Sequence, residues 1–298
     1  MKVLAKIIAD SVSPAGARLT TMEVVVPRIV LAEFNTHRAL SRNSASSRAI
    51  PIEKMLQRVI DDPYVPETWG RNGKGMQAHG DFTDAAEIAE RNAWYLESRD
   101  LAVAQARKGD ALGIHKQTVN RLIEPFMWHT IIVTATEWSN FFNLRNNEKA
   151  HPAIARTAAA MLVVFAESKP APVDYGEWHL PYINIYDRAE LSQVEQVKVS
   201  CARCARVSYL THDGKRDVSK DLALYDDLLG PGHMSPFEHA ATPLDGDDAD
   251  EILDMLPGVH ECDADDVDAA ELFVGNFRGW VQHRKQIKGE ADILGYKK

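Results

Sequence analysis

The sequence lacks most of the features that would place it quickly. Only three cysteines, Cys201, Cys204 and Cys262, occur in 298 residues. That count excludes a disulfide scaffold and fits a reducing, cytoplasmic setting. No apolar run approaches the roughly 20 residues that span a bilayer. The opening MKVLAKIIAD is too short and too charged for the apolar core of a secretion signal, so no membrane partner is expected. There is no GxGxxG and no GxxxxGK[ST], which removes the two commonest cradles for dinucleotides and triphosphates. No HExxH, paired CxxC or His/Asp ligand set occurs, so no metal is expected. The lone Cys201-Ala202-Arg203-Cys204 reads as buried structural thiols more readily than as a redox pair. Gly70 to Gly75 is glycine-rich and basic but has no strand-to-helix context, and reads as surface.

Charge is present, and unevenly spread. The chain has 34 Lys and Arg against 43 Asp and Glu, a formal charge of −9. Twelve of the acids lie between Asp245 and Glu271, a stretch with no Lys or Arg; the remainder has 34 bases against 31 acids. The acidic stretch reads as a solvated insertion, and the rest suits anionic ligands. An apolar fraction of 45% and a charged fraction of 26% are ordinary for a globular chain. The length allows one large domain or two small ones.

Strands are expected over Val3–Ala9 and Leu19–Val26, ending at Pro27. Pro51 marks a helix start, with Ile52, Met55, Leu56, Val59 and Ile60 at helical spacing. Residues 62–82 hold so much Pro, Gly and Asn that they read as a loop. Asp84 and Glu87 open a helix with an apolar stripe through Trp94, Leu101 and Val103, ending at Gly109. A further helix is expected from Ile114 to Ile123, stopping before Pro125, then a strand from Trp128 to Thr134. Glu137–Arg145 and Pro152–Ser168 read as consecutive helices. A Pro-rich connector, Lys169–Pro181, divides the chain, and residues 188–229 read as two helices around a loop at 211–215.

Three segments carry candidate chemistry. Thr36–Arg48 packs Arg38, Arg42, Arg48, His37, Asn43 and four serines into thirteen residues. Arginine forks bind phosphate bidentately, and serine hydroxyls fill the remaining oxygens; a solvated polar loop is the competing reading. In Asn140–Arg145, Phe141, Phe142 and Leu144 cannot share one helix face, so a broadly buried helix is expected, with Asn143 and Arg145 able to reach a ligand. Ser235-Pro236-Phe237-Glu238 fits a helix start with Ser as cap, Pro at the first position and Glu at the third. One internal echo links Phe34-Asn35-Thr36-His37-Arg38 to Trp280-Val281-Gln282-His283-Arg284, a pair of elements that could face each other.

Taken together, these segments resemble the flavin-dependent thymidylate synthases, the thymidylate synthase complementing family. That family's signature runs Arg-His-Arg, two residues, Ser, one residue, Asn-Glu, one residue, Ser, one residue, Arg. His37, Arg38, Ser41, Asn43, Ser46 and Arg48 fall on it in register, with Thr36 and Ser44 as departures. Asn143-Leu144-Arg145 is similar to its helix motif, Ala205-Arg206-Val207-Ser208 to its usual start, and His233 with Ser235–His239 to its His-x-Ser/Thr-Pro-Phe-Glu-His block. The last two blocks come first in the usual chain, so the order here looks circularly permuted.

The resemblance implies a mixed α/β fold, an antiparallel-containing sheet flanked by helices. It implies one catalytic unit over 1–298, with the His-Arg part in 1–168 and the Ser-Pro-Phe-Glu-His part with its acidic insertion in 182–298. It implies a cytoplasmic homotetramer with FAD at subunit interfaces, reduced by NADPH, moving a one-carbon unit from methylenetetrahydrofolate to C5 of dUMP, without nucleic-acid partners. By position, His37, Arg38, Asn143, Arg145, His233, Ser235 and Glu238 would bind FAD. Glu33, Ser44, Ser46, Ser47 and Arg48 would hold the nucleotide, with Ser46, Arg48 and Arg156 catalytic. Glu33 stands where the family has Gln, and Ala155 where it has Arg, with Arg156 beside it. These departures leave open a sibling reaction, hydroxymethylation of dUMP or dCMP. A flavin-free nucleotide or single-strand binding module is the competing class.

Overall fold

The computed structural model describes residues 3–207, 217–245 and 273–290. Five strands form the central sheet: β1 (Leu4–Val12), β2 (Arg18–Pro27), β3 (Ser41–Ser44), β4 (Trp128–Ala135) and the short β5 (Ala171–Pro172). Their order is β3-β4-β2-β1-β5, antiparallel throughout except for the β1–β5 edge. The expected strands are thus present, and β4 extends one residue past Thr134.

Alternation along the strands creates two unlike faces. Met22, Val24 and Val26 of β2 and Ile131 and Val133 of β4 face one side. There they pack on Phe34, on Phe141 of α5 (Ser139–Arg145) and on Ile154, Ala158 and Met161 of α6 (Pro152–Glu167). Leu144, expected to be buried with the phenylalanines, is exposed, because α5 is short and offers only Phe141 and Phe142 to this layer. The opposite face carries Ser11, Thr21, Glu23, Ile132, Thr134, Ser41 and Asn43, a largely polar row that alternation alone would leave to solvent. It is instead covered by the second half of the chain.

That second half consists of α7 (Ile185–Glu190), α8 (Gln193–Arg206) and α9 (Val218–Leu229), then β6 (Ala241–Pro243), β7 (Phe273–Val274), β8 (Phe277–Arg278) and β9 (Trp280–Gln282). The two expected helices are α8 and α9; α7 precedes them, and the 211–215 loop and residues 246–271 of the acidic stretch lie outside the described residues. Helices α7 to α9 are tied by buried charge. Arg203 donates to Asp187 at 2.5 and 3.1 Å and to Asp221 at 3.0 Å, and Arg206 donates to Asp221 at 2.7 Å. Burying two carboxylates is tolerated because every such charge meets a guanidinium.

The short α1 (Leu31–Asn35) packs with α5 and α6, and a third layer holds α2 (Ile52–Asp61), α3 (Ala85–Ala111) and α4 (Lys116–Val119). Asp84 caps α3 as expected, accepting from the backbone of Ala86 and Glu87. The stripe on α3 is the expected one only at Val103. Trp94 and Leu101 are about 60% exposed, whereas Val103, Ala106 and Gly109 face α2 and the 120–126 turn. At 1.5 Å per residue the 27-residue helix runs roughly 40 Å, longer than the core it packs on. Trp94 stacks edge-on against Trp69 of the 62–82 loop instead. The helix expected over 114–123 is also replaced: α4 passes into a 3-10 turn, Asn120–Phe126, that runs through Pro125. Asn120, fully buried, sets this geometry by donating to the carbonyls of Ser47 and Ile50.

Contact between the sheet and the second half runs through a buried row of side chains. Ser11 Oγ meets His179 Nδ1 at 2.8 Å, His179 Nε2 meets Thr21 Oγ1 at 2.8 Å, Thr21 meets Thr134 at 2.7 Å, and Thr134 meets His239 Nδ1 at 2.8 Å. Burial pulls His179, His239 and also His129 down to about 3 from the ordinary 6.5. The folded protein holds these rings neutral while the unfolded chain protonates them below about 6.5. Stability is therefore full above that pH and falls as pH drops toward 3, by roughly 1.4 kcal/mol per pH unit for each ring. Urea titrations between pH 5 and 7 should show this slope, and His239→Gln should make it shallower by one proton. An unchanged slope in the variant would show that the ring is not held neutral.

Candidate functional site

β3 organises the candidate residues. Alternation sends Ser41 and Asn43 to the buried face and Arg42 and Ser44 to the other. Ser41 Oγ accepts from Gln282 Nε2 at 2.9 Å and from Asn276 Nδ2 at 3.1 Å. Gly275 makes that approach possible in the Gly275-Asn276 turn between β7 and β8. Its φ is +73°, and a Cβ there would lie 2.0 Å from Gln282 Oε1. Asn43 donates to the carbonyl of Cys204 at 2.7 Å and accepts from Ser235 Oγ at 3.4 Å. The echo at 280–284 therefore sits beside the first His-Arg element through Ser41, as the sequence suggested.

Before β3, the turn at 36–40 holds a cluster of cations. Arg145, at the end of α5, donates Nε to His37 Nε2 at 2.8 Å and Nη2 to Thr36 Oγ1 at 3.0 Å and to the carbonyl of Glu33 at 3.4 Å. Phe141 meets the His37 ring edge-on at 5.0 Å. Arg42 donates to the His37 carbonyl at 2.6 Å. Burial, then Arg145 and Arg42, hold His37 below its ordinary pKa, so the ring stays neutral and accepts from Arg145. Arg38 extends exposed beside them. Burial holds Arg42 below its ordinary pKa, an effect that nearby Glu238 opposes; Glu238 also accepts from Arg284 Nη1 at 2.5 Å.

The Ser235–Glu238 block does not start a helix as expected. It is a four-residue 3-10 turn without a side-chain cap. Ser235 reaches Asn43 rather than the backbone ahead of it, and Phe237 is fully buried against Tyr225. The chemistry of this segment is thus turned toward β3. His233 and Asn143 are exposed.

Beyond β3, Ser46 and Ser47 line a cavity of about 350 Å³ between α2 and β4. Ser47 donates to Glu124 at 3.0 Å; Arg28 bonds the same carboxylate at 3.3 Å and His129 at 2.9 Å. Arg48 is exposed. Arg156 lies on α6, paired with Glu67 at 3.3 Å, and no hydrogen bond or ion pair joins it to Ser46 or Arg48 among the described residues. The candidates thus fall into two groups: His37, Arg38, Arg145, Ser235 and Glu238 around the start of β3, and Ser46, Ser47 and Arg48 after its end. Arg42, Gln282, Asn276 and Arg284 join the first group on structural grounds. Of these, Arg42 is signalled by the Thr36–Arg48 segment and Gln282 and Arg284 by the 280–284 echo; Asn276 gives no signal in the sequence.

Cys201 and Cys204 are fully buried on α8, and burial raises both thiols well above their ordinary pKa. Neither is a thiolate nucleophile. What the first group offers is a patch of guanidinium groups around a neutral imidazole, on a chain of net negative charge. Such a patch suits a polyanion with more than one phosphate oxygen to satisfy.

The second half of the chain lies outside the stretch that the family model matches. Among curated proteins none matches. A solved structure, a UMP/dUMP methylase PolB from Streptomyces cacaoi bound with 5-Br dUMP, is similar over 56% of this chain and 91% of its own, with 14% identity and a TM-score of 0.46. Residues 7–171, more than half of the chain and including the whole His37–Arg48 segment and Arg145, match the family model described as thymidylate synthase complementing protein; the chain belongs to that family.

Proposed function

We propose that this protein is a flavin-dependent thymidylate synthase. It would transfer a one-carbon unit from methylenetetrahydrofolate to C5 of dUMP, giving dTMP, with NADPH as the reductant. The observation that carries this reading is the contact of Arg145 with His37 inside the family-matched stretch. It gathers Arg38, Arg42 and Arg145 around one neutral ring, and this donor set fits the diphosphate of FAD. Bound there, the flavin would supply the hydride that completes the methyl group.

The chain's own residues would do the rest. Arg38 and Arg145 hold the cofactor's phosphates, with His37 keeping Arg145 oriented, and Asn143 and His233 lie exposed for further contacts. Ser235 and Glu238 reach the same place through Asn43 and Arg42. Ser46, Ser47 and Arg48 hold the nucleotide phosphate, with Glu33, Ser44 and Arg156 on the substrate side. A family of this kind acts as an oligomer, and a homotetramer would bring a second copy to the exposed Arg38 and Arg48. Cys201 and Cys204 are fully buried with raised thiol pKa values, so neither serves as a nucleophile in this reading.

The Glu33 carboxylate favours a second reading. It only accepts hydrogen bonds, where an amide also donates, which suits a pyrimidine carrying an exocyclic amine. On that reading the protein hydroxymethylates a pyrimidine nucleotide, dUMP or dCMP, and the carboxylate favours dCMP.

Purified protein should be yellow or take up added FAD, and should convert dUMP to dTMP with methylenetetrahydrofolate and NADPH. A C5-hydroxymethyl product, or modification of dCMP alone, would select the second reading. Colourless protein that refuses FAD would sink both. Arg38→Ala and Arg145→Ala should each weaken FAD binding by about tenfold or more, the loss of a charge-assisted hydrogen bond. Arg48→Ala should leave FAD content intact and weaken nucleotide binding instead. The opposite pattern in a titration of both ligands would reverse the assigned roles.

A further inference from the structure

One group near the His37 patch has the wrong sign for an anion site. The Glu238 carboxylate acts on the Arg42 guanidinium, opposing the drop in pKa that burial imposes there. Ser235, bonded to Asn43 at 3.4 Å, holds the turn that carries Glu238 against β3. A carboxylate within electrostatic reach of an arginine normally takes it as a forked partner. Here it does not: among the described residues no ion pair joins Glu238 to Arg42. Glu238 Oε1 instead accepts from Arg284 Nη1 at 2.5 Å. Arg42 spends Nη1 on the His37 carbonyl at 2.6 Å, and its guanidinium makes no other hydrogen bond among the described residues.

Arg284 comes from the far end of the chain, outside residues 7–171 of the family match. Its backbone is tied down on both sides of the ion pair. Gln282 of β9 pairs with Ala241 of β6, and the next amide, His283 N, donates to the Ala240 carbonyl at 2.9 Å. Gln282 Nε2 donates to the Glu238 carbonyl at 3.2 Å and to Ser41 Oγ at 2.9 Å. Behind Arg284, its Nε donates to Glu290 Oε2 at 2.7 Å, and Lys285 Nζ donates to Glu290 Oε1 at 2.5 Å. Lys285, Glu290, Arg284 and Glu238 thus form a chain of two cations and two carboxylates that cancel. The side chains of Arg284 and Glu238 are only 30% and 15% exposed, so salt screens their pairing less than that of a surface pair. The positive charge left over on this surface is that of Arg38, Arg42 and Arg145.

We propose that Arg284 is a positioning residue for the anion patch: by holding the Glu238 carboxylate it keeps Arg42 free for an oxygen of a bound diphosphate. Without Arg284, the nearest guanidinium for Glu238 is Arg42. The patch would then lose one fork and gain a carboxylate that nothing else neutralises. Arg284 acts through Glu238 and does not touch the anion. This role rests on the proposed function only for the choice of a diphosphate as ligand.

The test is a two-residue cycle on the full chain, with inorganic pyrophosphate followed by calorimetry and FAD by quenching of its fluorescence. Arg284→Met should weaken pyrophosphate binding by about tenfold. Adding Glu238→Gln to Arg284→Met should recover most of that loss, because the released carboxylate is gone. Removing the partner of a lost structural contact would not restore binding, so the recovery is what marks positioning. Thermal melts check folding, and the same cycle is run with Arg284→Lys, which keeps the charge and loses the fork, so that an unfolded Arg284→Met still leaves a readable pair. A double variant as weak as the single one overturns the role, and so does equal binding by wild type and the Arg284 variants. Pyrophosphate that does not bind wild type overturns it too. FAD separates this role from the proposed function. If wild type binds FAD while the pyrophosphate cycle is flat, the role falls and the proposed function is untouched. If the pyrophosphate cycle runs as expected and FAD does not bind, the role stands and the proposed function falls.

Discussion

The second face of the central sheet imposes the constraint on which the rest of the molecule depends. Its side chains, Ser11, Thr21, Glu23, Thr134, Ser41 and Asn43, are polar, yet most of them are buried under the second half of the chain. Buried hydroxyls and amides have to be matched one by one, at a cost of about 1–3 kcal/mol for each left unpaired. The row Ser11–His179–Thr21–Thr134–His239 does this at heavy-atom distances of 2.7 to 2.8 Å. A neutral imidazole suits the task because it both donates and accepts, as a hydroxyl does: His179 uses both ring nitrogens, whereas His239 uses Nδ1 and leaves its buried Nε2 unpaired among the described residues. An apolar interface would tolerate sliding by a residue; this one fixes the register of the covering segments on the sheet.

The site inherits that register. His239 follows the Ser235–Glu238 turn directly, so pinning its ring to Thr134 brings Ser235 to Asn43 and Glu238 toward Arg42. Gln282, on the strand paired with β6, is held to Ser41 and to the Glu238 carbonyl. Residues some 200 positions apart in the chain thereby share one surface with the His37–Arg145 contact. The guanidinium patch around His37 is assembled locally from α1, β3 and α5, whereas its far side is supplied by the covering layer.

Sequence patterning described the first layer well. Strands β1, β2 and β4, the cap at Asp84 and the starts of α2 and α6 follow from apolar alternation, Pro placement and Asx chemistry, which act over a few residues. It failed where a distant partner decided the outcome. Trp94 turned outward because α3 outruns its core and Trp69 waits beside it. Helical spacing over 114–123 gave way to a 3-10 turn because buried Asn120 binds the 47–50 segment. The Ser-Pro-x-Glu pattern, which fits a helix cap, spends its serine on Asn43 instead.

By itself, the sequence determined strands β1, β2 and β4, the family to which the chain belongs, and the concentration of arginine and serine in Thr36–Arg48, because residue type, spacing and alternation are local properties. Only the tertiary structure decided which polar residues are buried. It also divided the candidates into a group around His37 and a group at the cavity beyond Ser46. It joined the Ser235–Glu238 turn and the second His-Arg element to the first of these groups. The physical reason is that burial and hydrogen-bond pairing depend on what covers a face, and here the cover is encoded in the second half of the chain.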